Sequence, residues 1–172
     1  MPRPNAVTFK GTPMTLAGEE VKVGQQAPYF KVHYFEGGLK AITPCCLKGK
    51  ATILSVVPSL DTGVCATQTK KFNEQLSSLG DKVNAVTISL DLPFAMNRFC
   101  GAESIKNMKV GSDYQDRSFG RYWGMLIEDL LVLARGVFVL DKDGKVVYAE
   151  TVKEVTSEPN YEAAMTALKA AV

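Results

Sequence analysis

The feature that most constrains the fold is a short apolar run that leads, through a proline, into an amphipathic segment. Residues 51–57 read ATILSVV and are stopped by Pro58, which predicts a buried parallel strand. Thr62 is a good helix N-cap, and Gly80 closes the predicted helix. Apolar side chains recur between them at spacings of four and three: Phe72, Leu76 and Leu79. This strand–helix unit places Cys65 at the third helical position.

In the first turn of a helix, Cys65 is surrounded by backbone N–H groups without intrahelical partners and by the positive end of the helix dipole. Both favour a thiolate. Lowering a thiol pKa by about two units requires roughly 2.7 kcal/mol, whereas a helix N-terminus supplies about 0.3 to 1 kcal/mol. A cation is therefore expected near the sulfur, and the nearby Asp61 is expected to point outward. The alternative is that Cys65 is only a small buried hydrophobic residue.

The sequence does not identify that cation. Lys70 and Lys71 lie one to two turns further along the helix. An arginine is the better candidate, because its planar fork presents several donors in a fixed geometry. Three arginines fit this role: Arg98, Arg121 and Arg135.

Beyond this helix, residues 83–90 form a second strand-like run. The order strand, helix, strand implies a right-handed crossover and parallel pairing, which places Cys65 at the carboxyl edge of the sheet. Turn residues and alternating apolar positions predict an N-terminal β-hairpin over 7–23 and an antiparallel pair of strands, 28–35 with 39–43. They also predict a strand over 109–114, a short helix over 117–123 and a second hairpin of 136–140 with 146–149. A C-terminal helix is expected to open at Ser157 to Pro159. The expected fold class is α/β: a thioredoxin-like fold with a central mixed sheet flanked by helices.

A second isolated cysteine follows the second strand. Asp91 and Pro93 open a short predicted helix, and Gly101 stops it directly after Cys100. Cys100 would thus lie near a helix end, where fraying is easy. Its position is equally compatible with a functional thiol and with a core cysteine beside Phe99.

Length and composition narrow the class of protein. The chain has 172 residues, with 20 Lys and Arg against 18 Asp and Glu, which predicts one domain over 1–172 and no basic patch of the kind that binds nucleic acid. No apolar stretch approaches the roughly 20 residues of a membrane span, and no signal-peptide core follows Met1. We therefore expect a cytoplasmic protein without nucleic-acid or membrane partners.

In a reducing cytosol, four cysteines indicate catalytic or redox thiols rather than a disulfide framework. Zinc is disfavoured because the chain has no Cys-x-x-Cys pair and one histidine, His33, so no metal or cofactor is expected. The adjacent Cys45 and Cys46 either bind a soft metal, act in redox chemistry or fill a loop with small side chains. His33 lies in an alternating run and is expected to face solvent or to form a hydrogen bond.

Two motifs carry a resemblance to a known family. Pro58, Thr62 and Cys65 stand as Pro-x-x-x-Thr-x-x-Cys, which resembles the active-site motif of the peroxiredoxins. Asp91-Leu92-Pro93-Phe94-Ala95 and then Arg98-Phe99-Cys100-Gly101 resemble the thiol peroxidase subfamily, in which a second cysteine resolves the first within one chain. The similarity extends from the N-terminal segment to the C-terminal helix.

The resemblance implies a peroxidase in which Cys65 attacks hydrogen peroxide or an alkyl hydroperoxide and then forms a disulfide with Cys100, which thioredoxin reduces. It implies that Arg135, at the start of a late strand, orients the peroxide and the thiolate. It also implies that Thr62 bonds the sulfur or the peroxide, that Pro58 shields the site from water, and that the chain forms a homodimer. Without the resemblance, these three residues would be a strand-end charge, a helix cap and a strand stop.

Two other functions use the same features. A thioredoxin-like disulfide oxidoreductase also places a cysteine at a helix N-terminus, but Thr62 occupies the position of the first cysteine of a Cys-x-x-Cys pair. A non-enzymatic metal-binding or sensor protein would use Cys45 and Cys46. Catalysed insulin reduction without peroxide consumption would favour the first, and bound metal in the purified protein would favour the second.

Overall fold

The structure, a computed structural model, describes residues 1–172. Its strands are β1 Arg3–Phe9, β2 Thr12–Leu16, β3 Val32–Phe35, β4 Leu39–Ile42, β5 Ala51–Val56, β6 Val83–Ser89, β7 Lys109–Ser112, β8 Leu126–Ile127, β9 Val132–Leu133, β10 Gly136–Leu140 and β11 Val146–Thr151. Its α-helices are α1 Gly63–Leu76, α2 Pro93–Ala102, α3 Ser118–Tyr122 and α4 Tyr161–Ala170. None of them is both long enough and apolar enough to cross a membrane.

The central sheet has seven strands in the order β11-β10-β5-β6-β7-β3-β4. β5 and β6 pair in parallel from Ala51↔Val83 to Val56↔Ile88, and α1 forms the crossover between them. Every residue of β5 is buried, because helices and loops cover both faces of the sheet. β10 joins the other side of β5 in antiparallel orientation. This mixed sheet confirms the predicted thioredoxin-like fold class.

A smaller antiparallel sheet has the order β1-β2-β8-β9. Its first two strands form the predicted N-terminal hairpin. The hairpin also pairs with the segment after β11, because the Thr8 N–H donates to the Lys153 carbonyl at 2.7 Å and the Val155 N–H donates to the Thr8 carbonyl at 2.8 Å. The hairpin is therefore part of the packed structure rather than a linker.

Alternation along β5 directs its side chains into two apolar clusters on opposite faces of the sheet. Leu54 and Val56 belong to the first cluster, which contains four mutually packed aromatic rings: Phe30, Phe119, Trp123 and Phe138. Ala51 and Ile53 point to the second, where Phe72 of α1 and Leu168 of α4 cover the strands. The core thus fixes α1 against the sheet.

The helix α1 ends four residues before the predicted stop. The backbone N–H and hydroxyl of Ser77 both donate to the Glu74 carbonyl, and the Leu79 N–H donates to Leu76. These bonds turn the chain tightly after Leu76. Gly80, with φ at +50°, begins a 3₁₀ turn instead of closing the helix.

Other boundaries also differ from those predicted. The N-terminal hairpin occupies residues 3–16 rather than 7–23. The C-terminal helix begins at Tyr161 rather than at Ser157 to Pro159, because Asn160 is its N-cap and its Oδ1 accepts the Ala163 N–H at 3.0 Å. The first strand of the predicted antiparallel pair is limited to β3. The helix α2 extends one residue beyond the predicted stop at Gly101.

Candidate active site

Cys65 is the third residue of α1 and lies at the carboxyl edge of β5. Its side chain is 0 % exposed and packs with four apolar side chains, which are Val57, Leu60, Met96 and Val110. The two interpretations of Cys65, buried residue and reactive thiol, are therefore compatible. Apolar side chains enclose the sulfur, and polar groups reach it from one side.

Two polar groups contact the sulfur. Thr62 Oγ1 lies 2.8 Å from Cys65 Sγ, and Arg135 Nη2 lies 3.2 Å from it. A guanidinium carries a full positive charge, and its attraction to a thiolate is stronger in a water-poor site than in bulk water. Asp61, the nearest carboxylate in sequence, is exposed. The Cys65 sulfur therefore faces a hydroxyl and a guanidinium, and both can donate a hydrogen bond to it.

Arg135 is buried, and two hydrogen bonds hold its guanidinium in place beside the sulfur. It is only 2 % exposed, its Nε donates to the Val155 carbonyl at 2.8 Å, and its Nη1 donates to Gln68 Oε1 at 2.9 Å. Gln68 is fully buried and donates in turn to Ser55 Oγ at 2.9 Å. The fork is thus oriented before any substrate binds. Gln68 was not among the site residues predicted from the sequence, although its place three residues after Cys65 puts it on the same helix face.

The other two candidate arginines do not contact the Cys65 sulfur. Arg98, on α2, is exposed and lines a cavity of about 310 Å³ between that helix and the loop before α1. Arg121, on α3, is also exposed. Only Arg135 therefore has the position that the sequence analysis required of a cation.

Thr62 occupies the N-cap position of α1, but its side chain accepts no capping hydrogen bond. Its hydroxyl lies 3.1 Å from the Ser59 carbonyl oxygen and 2.8 Å from Cys65 Sγ. A hydroxyl has one proton to donate, so the Thr62 hydroxyl donates either to the Ser59 carbonyl or to the Cys65 sulfur at any one time. Pro58 is half-buried and directly follows Val57, whose side chain packs against Cys65.

Asp91 forms hydrogen bonds to the loop before Cys65, which its predicted place at a helix start did not indicate. The helix begins at Pro93, and the Asp91 carboxylate accepts three hydrogen bonds. Their donors are Ser59 Oγ at 2.7 Å, the Leu60 N–H at 2.7 Å and Ser89 Oγ at 2.6 Å. The loop before Cys65 is thereby tied to the loop before α2.

Cys100 lies in the last turn of α2, half-buried and unpaired. It packs against the same small apolar cluster that contains Cys65. Burial raises the pKa of the Cys100 thiol to about 11. In this conformation the thiol is protonated near neutral pH and is a poor nucleophile.

Cys45 and Cys46 lie elsewhere. They are exposed in the 3₁₀ turn Pro44–Leu47, which precedes β5 and so lies at the sheet edge opposite to Cys65. Hydrogen bonds with Thr43 lower the pKa of Cys46. No group of three or more His, Cys, Asp and Glu side chains is placed to hold a metal ion.

His33 lies on β3, but the expectation that it faces solvent or forms a hydrogen bond is wrong. It is 6 % exposed, its Nδ1 has no hydrogen-bond partner, and its ring packs edge-on against Tyr114 at 5.9 Å. The reason is tertiary, because β7 pairs with β3 and places Ser112 opposite His33. Burial lowers the pKa of His33, and the residue does not contact the Cys65 site.

The fold and the site together define a class. A thioredoxin-like sheet that presents a single cysteine at a helix N-terminus to a buried arginine, with threonine in place of a second cysteine, is the arrangement of a thiol-dependent peroxidase rather than of a Cys-x-x-Cys oxidoreductase. The model of the Redoxin family matches residues 22–165. The chain belongs to the Redoxin family and is a peroxiredoxin-type thiol peroxidase.

Relatives of known name support this assignment over the full chain. The thiol peroxidase of Bacillus subtilis is 55 % identical over 96 % of this chain and 98 % of its own length. The thiol peroxidase of Halalkalibacterium halodurans is 49 % identical over 97 % of this chain and 99 % of its own length. A peroxiredoxin-like protein from Aquifex aeolicus has a solved structure with a TM-score of 0.88 and 40 % identity, covering 98 % of both chains.

Proposed function

We propose that the protein reduces hydrogen peroxide and alkyl hydroperoxides through Cys65. The observation that carries this proposal is the pair of contacts on the Cys65 sulfur, from Arg135 at 3.2 Å and Thr62 at 2.8 Å. In the first step, the thiolate attacks one peroxide oxygen and the O–O bond breaks. Cys65 becomes a sulfenic acid, and the leaving oxygen takes up a proton and departs as water or an alcohol.

The neighbouring residues support that step. Arg135 neutralises the charge on the sulfur and offers its fork to the peroxide oxygens, whose charge increases as the O–O bond breaks. Thr62 directs its hydroxyl proton to the sulfur or to the bound peroxide. Pro58 keeps water from the sulfur, which limits side reactions of the sulfenic acid.

We further propose that Cys100 resolves the sulfenic acid. Its sulfur attacks the Cys65 sulfur, water leaves, and an intramolecular disulfide forms. Thioredoxin then reduces this disulfide, giving up two thiol protons and two electrons and becoming a disulfide itself. The shared apolar contacts of Cys65 and Cys100 support the pairing. The family resemblance supports the choice of reductant, and it also supports a cytoplasmic homodimer of single-domain chains.

A coupled assay tests the proposal. NADPH, thioredoxin reductase and thioredoxin are combined with the protein, and NADPH consumption is followed with hydrogen peroxide and with a bulky alkyl hydroperoxide. We expect turnover of both peroxides. The Cys65→Ser variant should be inactive, whereas Cys45→Ser, an exposed cysteine at the opposite sheet edge, should match the wild type. Equal loss in both variants would overturn the assignment, as would insulin reduction in the absence of peroxide consumption.

A further inference from the structure

We propose that Asp91 is a positioning residue for the peroxidase reaction. It holds the loop before Cys65 in the folded state, and it thereby sets how the Cys65 sulfenic acid divides between disulfide formation and further oxidation. This inference rests on the Cys65–Cys100 disulfide of the proposed function.

The anchoring contacts join two loops that meet at the carboxyl edge of the sheet. Asp91 lies two residues after the end of β6 and two residues before the start of α2. Two of its three donors, Ser59 Oγ and the Leu60 N–H, belong to the loop between β5 and α1, while Ser89 belongs to β6. The bonds to Ser59 and Leu60 must break if that loop moves away from Asp91.

Leu60 is fixed at both its backbone and its side chain. Its N–H donates to Asp91, and its side chain is 4 % exposed in the cluster that contains Cys65 and Met96. The next turn depends on the same loop, because the Thr62 N–H donates to the Ser59 carbonyl at 3.3 Å. Releasing Asp91 therefore loosens the segment that begins α1.

The Asp91 carboxylate has no cationic partner, since the three ion pairs of the protein involve other residues. Its charge is stabilised by hydroxyl and backbone donors alone. Hydrogen bonds to a charged acceptor are roughly twice as strong as neutral ones. An asparagine at this position carries no charge, so all three contacts lose the charge assistance, even where the Ser59 hydroxyl accepts from the asparagine amide instead of donating.

Two reactions compete for the sulfenic acid. In the first, the Cys100 thiol displaces water from the sulfenic acid and the disulfide forms. In the second, another peroxide molecule oxidises the sulfenic acid to a sulfinic acid and leaves as water or an alcohol. Cys65 and Cys100 lie on two separately packed helices, and a disulfide requires Cα atoms within about 7 Å of each other. We therefore infer that the first reaction, unlike the second, needs the loop and α2 to rearrange. A weaker anchor should therefore accelerate disulfide formation and leave over-oxidation unchanged.

The test compares Asp91→Asn with the wild type at increasing peroxide concentration. Mass spectrometry after one turnover measures the ratio of disulfide to sulfinic acid. We expect the variant to require about tenfold more peroxide to form equal amounts of disulfide and sulfinic acid, the factor that corresponds to an anchor weakened by about 1.4 kcal/mol. The matched control is Asp141→Asn, because Asp141 also accepts backbone N–H bonds, from Asp143 and Lys145, but outside this site. The ratio of disulfide to sulfinic acid in the control should equal that in the wild type.

A second variant keeps the inference testable if Asp91→Asn does not fold. Ser59→Ala removes one of the three bonds and should shift the ratio in the same direction by a smaller factor. Suppose that the wild type forms the Cys65–Cys100 bond, and that the variants have a lower melting temperature but the wild-type ratio of disulfide to sulfinic acid. That result would overturn the role of Asp91 and leave the proposed function standing. A wild type that never forms this bond would instead overturn the proposed function, and this inference with it.

Discussion

Arg135 and Cys65 are 70 residues apart in sequence, yet Nη2 of Arg135 lies 3.2 Å from Sγ of Cys65. Strand register explains the contact. β10 runs antiparallel to β5 and pairs Gly136 with Val56, so the residue before β10 arrives where β5 ends. That end is the edge at which α1 begins, and Arg135 is therefore brought to the first turn of the helix.

Replacing Cys65 by serine should abolish peroxide turnover and leave the fold intact, because a serine hydroxyl does not ionise as a thiol does. The coupled assay measures the activity, and circular dichroism checks the fold. Activity above a few per cent of the wild type would show that another cysteine attacks the peroxide.

Replacing Arg135 by lysine should slow the oxidation of Cys65 by about tenfold or more, because a point charge does not reproduce three donors directed at the sulfur, Gln68 and Val155. Stopped-flow oxidation of the reduced protein measures this step alone. Arg98→Lys is the matched control, since Arg98 is exposed and does not contact the sulfur. Equal rates in both variants would mean that the guanidinium does not act on the peroxide.

Replacing Cys100 by serine should leave the first oxidation of Cys65 rapid but block its resolution. The expected product after one equivalent of peroxide is a sulfenic acid, which a dimedone label traps, and excess peroxide should convert it to a sulfinic acid. Peptide mapping of the wild type provides the comparison. A bridge from Cys65 to Cys45 or Cys46 in the wild type would move the resolving role to that cysteine.

The stability of the reduced protein should depend on the ionisation of Cys100. Burial raises its pKa to about 11 in the folded state, whereas an ordinary thiol titrates near about 8.5. The folded state binds the Cys100 proton more tightly than the unfolded state does. The stability that this proton contributes is therefore complete below the unfolded pKa and is lost as pH rises through the folded pKa. Between about pH 8 and pH 11, the wild type should therefore lose more stability than Cys100→Ser. Parallel slopes of melting temperature against pH would contradict this.

Formation of the disulfide should unwind the first turn of α1, around Thr62 to Cys65, and the part of α2 around Phe94 to Cys100. Closing a loop of about 35 residues stabilises a chain by roughly 4 kcal/mol in the chain-entropy model, and the lost helical contacts should offset much of that gain. The oxidised protein should then be little more stable than the reduced one and readily reducible. Hydrogen exchange decides this, because equal protection of both segments in the two forms, with the bond confirmed, would indicate a preformed site.

The sequence by itself determined the elements whose signals are local. The apolar run 51–57 and its proline stop predicted a buried strand, and the N-cap position of Thr62 placed Cys65 in the first turn of α1. Because helix period, strand composition and caps act over a few residues, they can be read without knowing the fold. The strand–helix–strand order then located Cys65 at the carboxyl edge, since right-handed crossovers leave few topologies.

Only the tertiary structure decided which side chains meet at that edge. The choice of Arg135 among three arginines depended on the register of β10 on β5. Asp91 contacts Leu60 and Ser59, which lie 31 and 32 residues before it in the chain. The burial of His33 depends on its pairing with β7 and on its contact with the Tyr114 ring, both of which come from a distant part of the sequence. Hydrogen bonds between remote segments leave no periodic trace in the sequence, so their partners are fixed only when the sheet assembles.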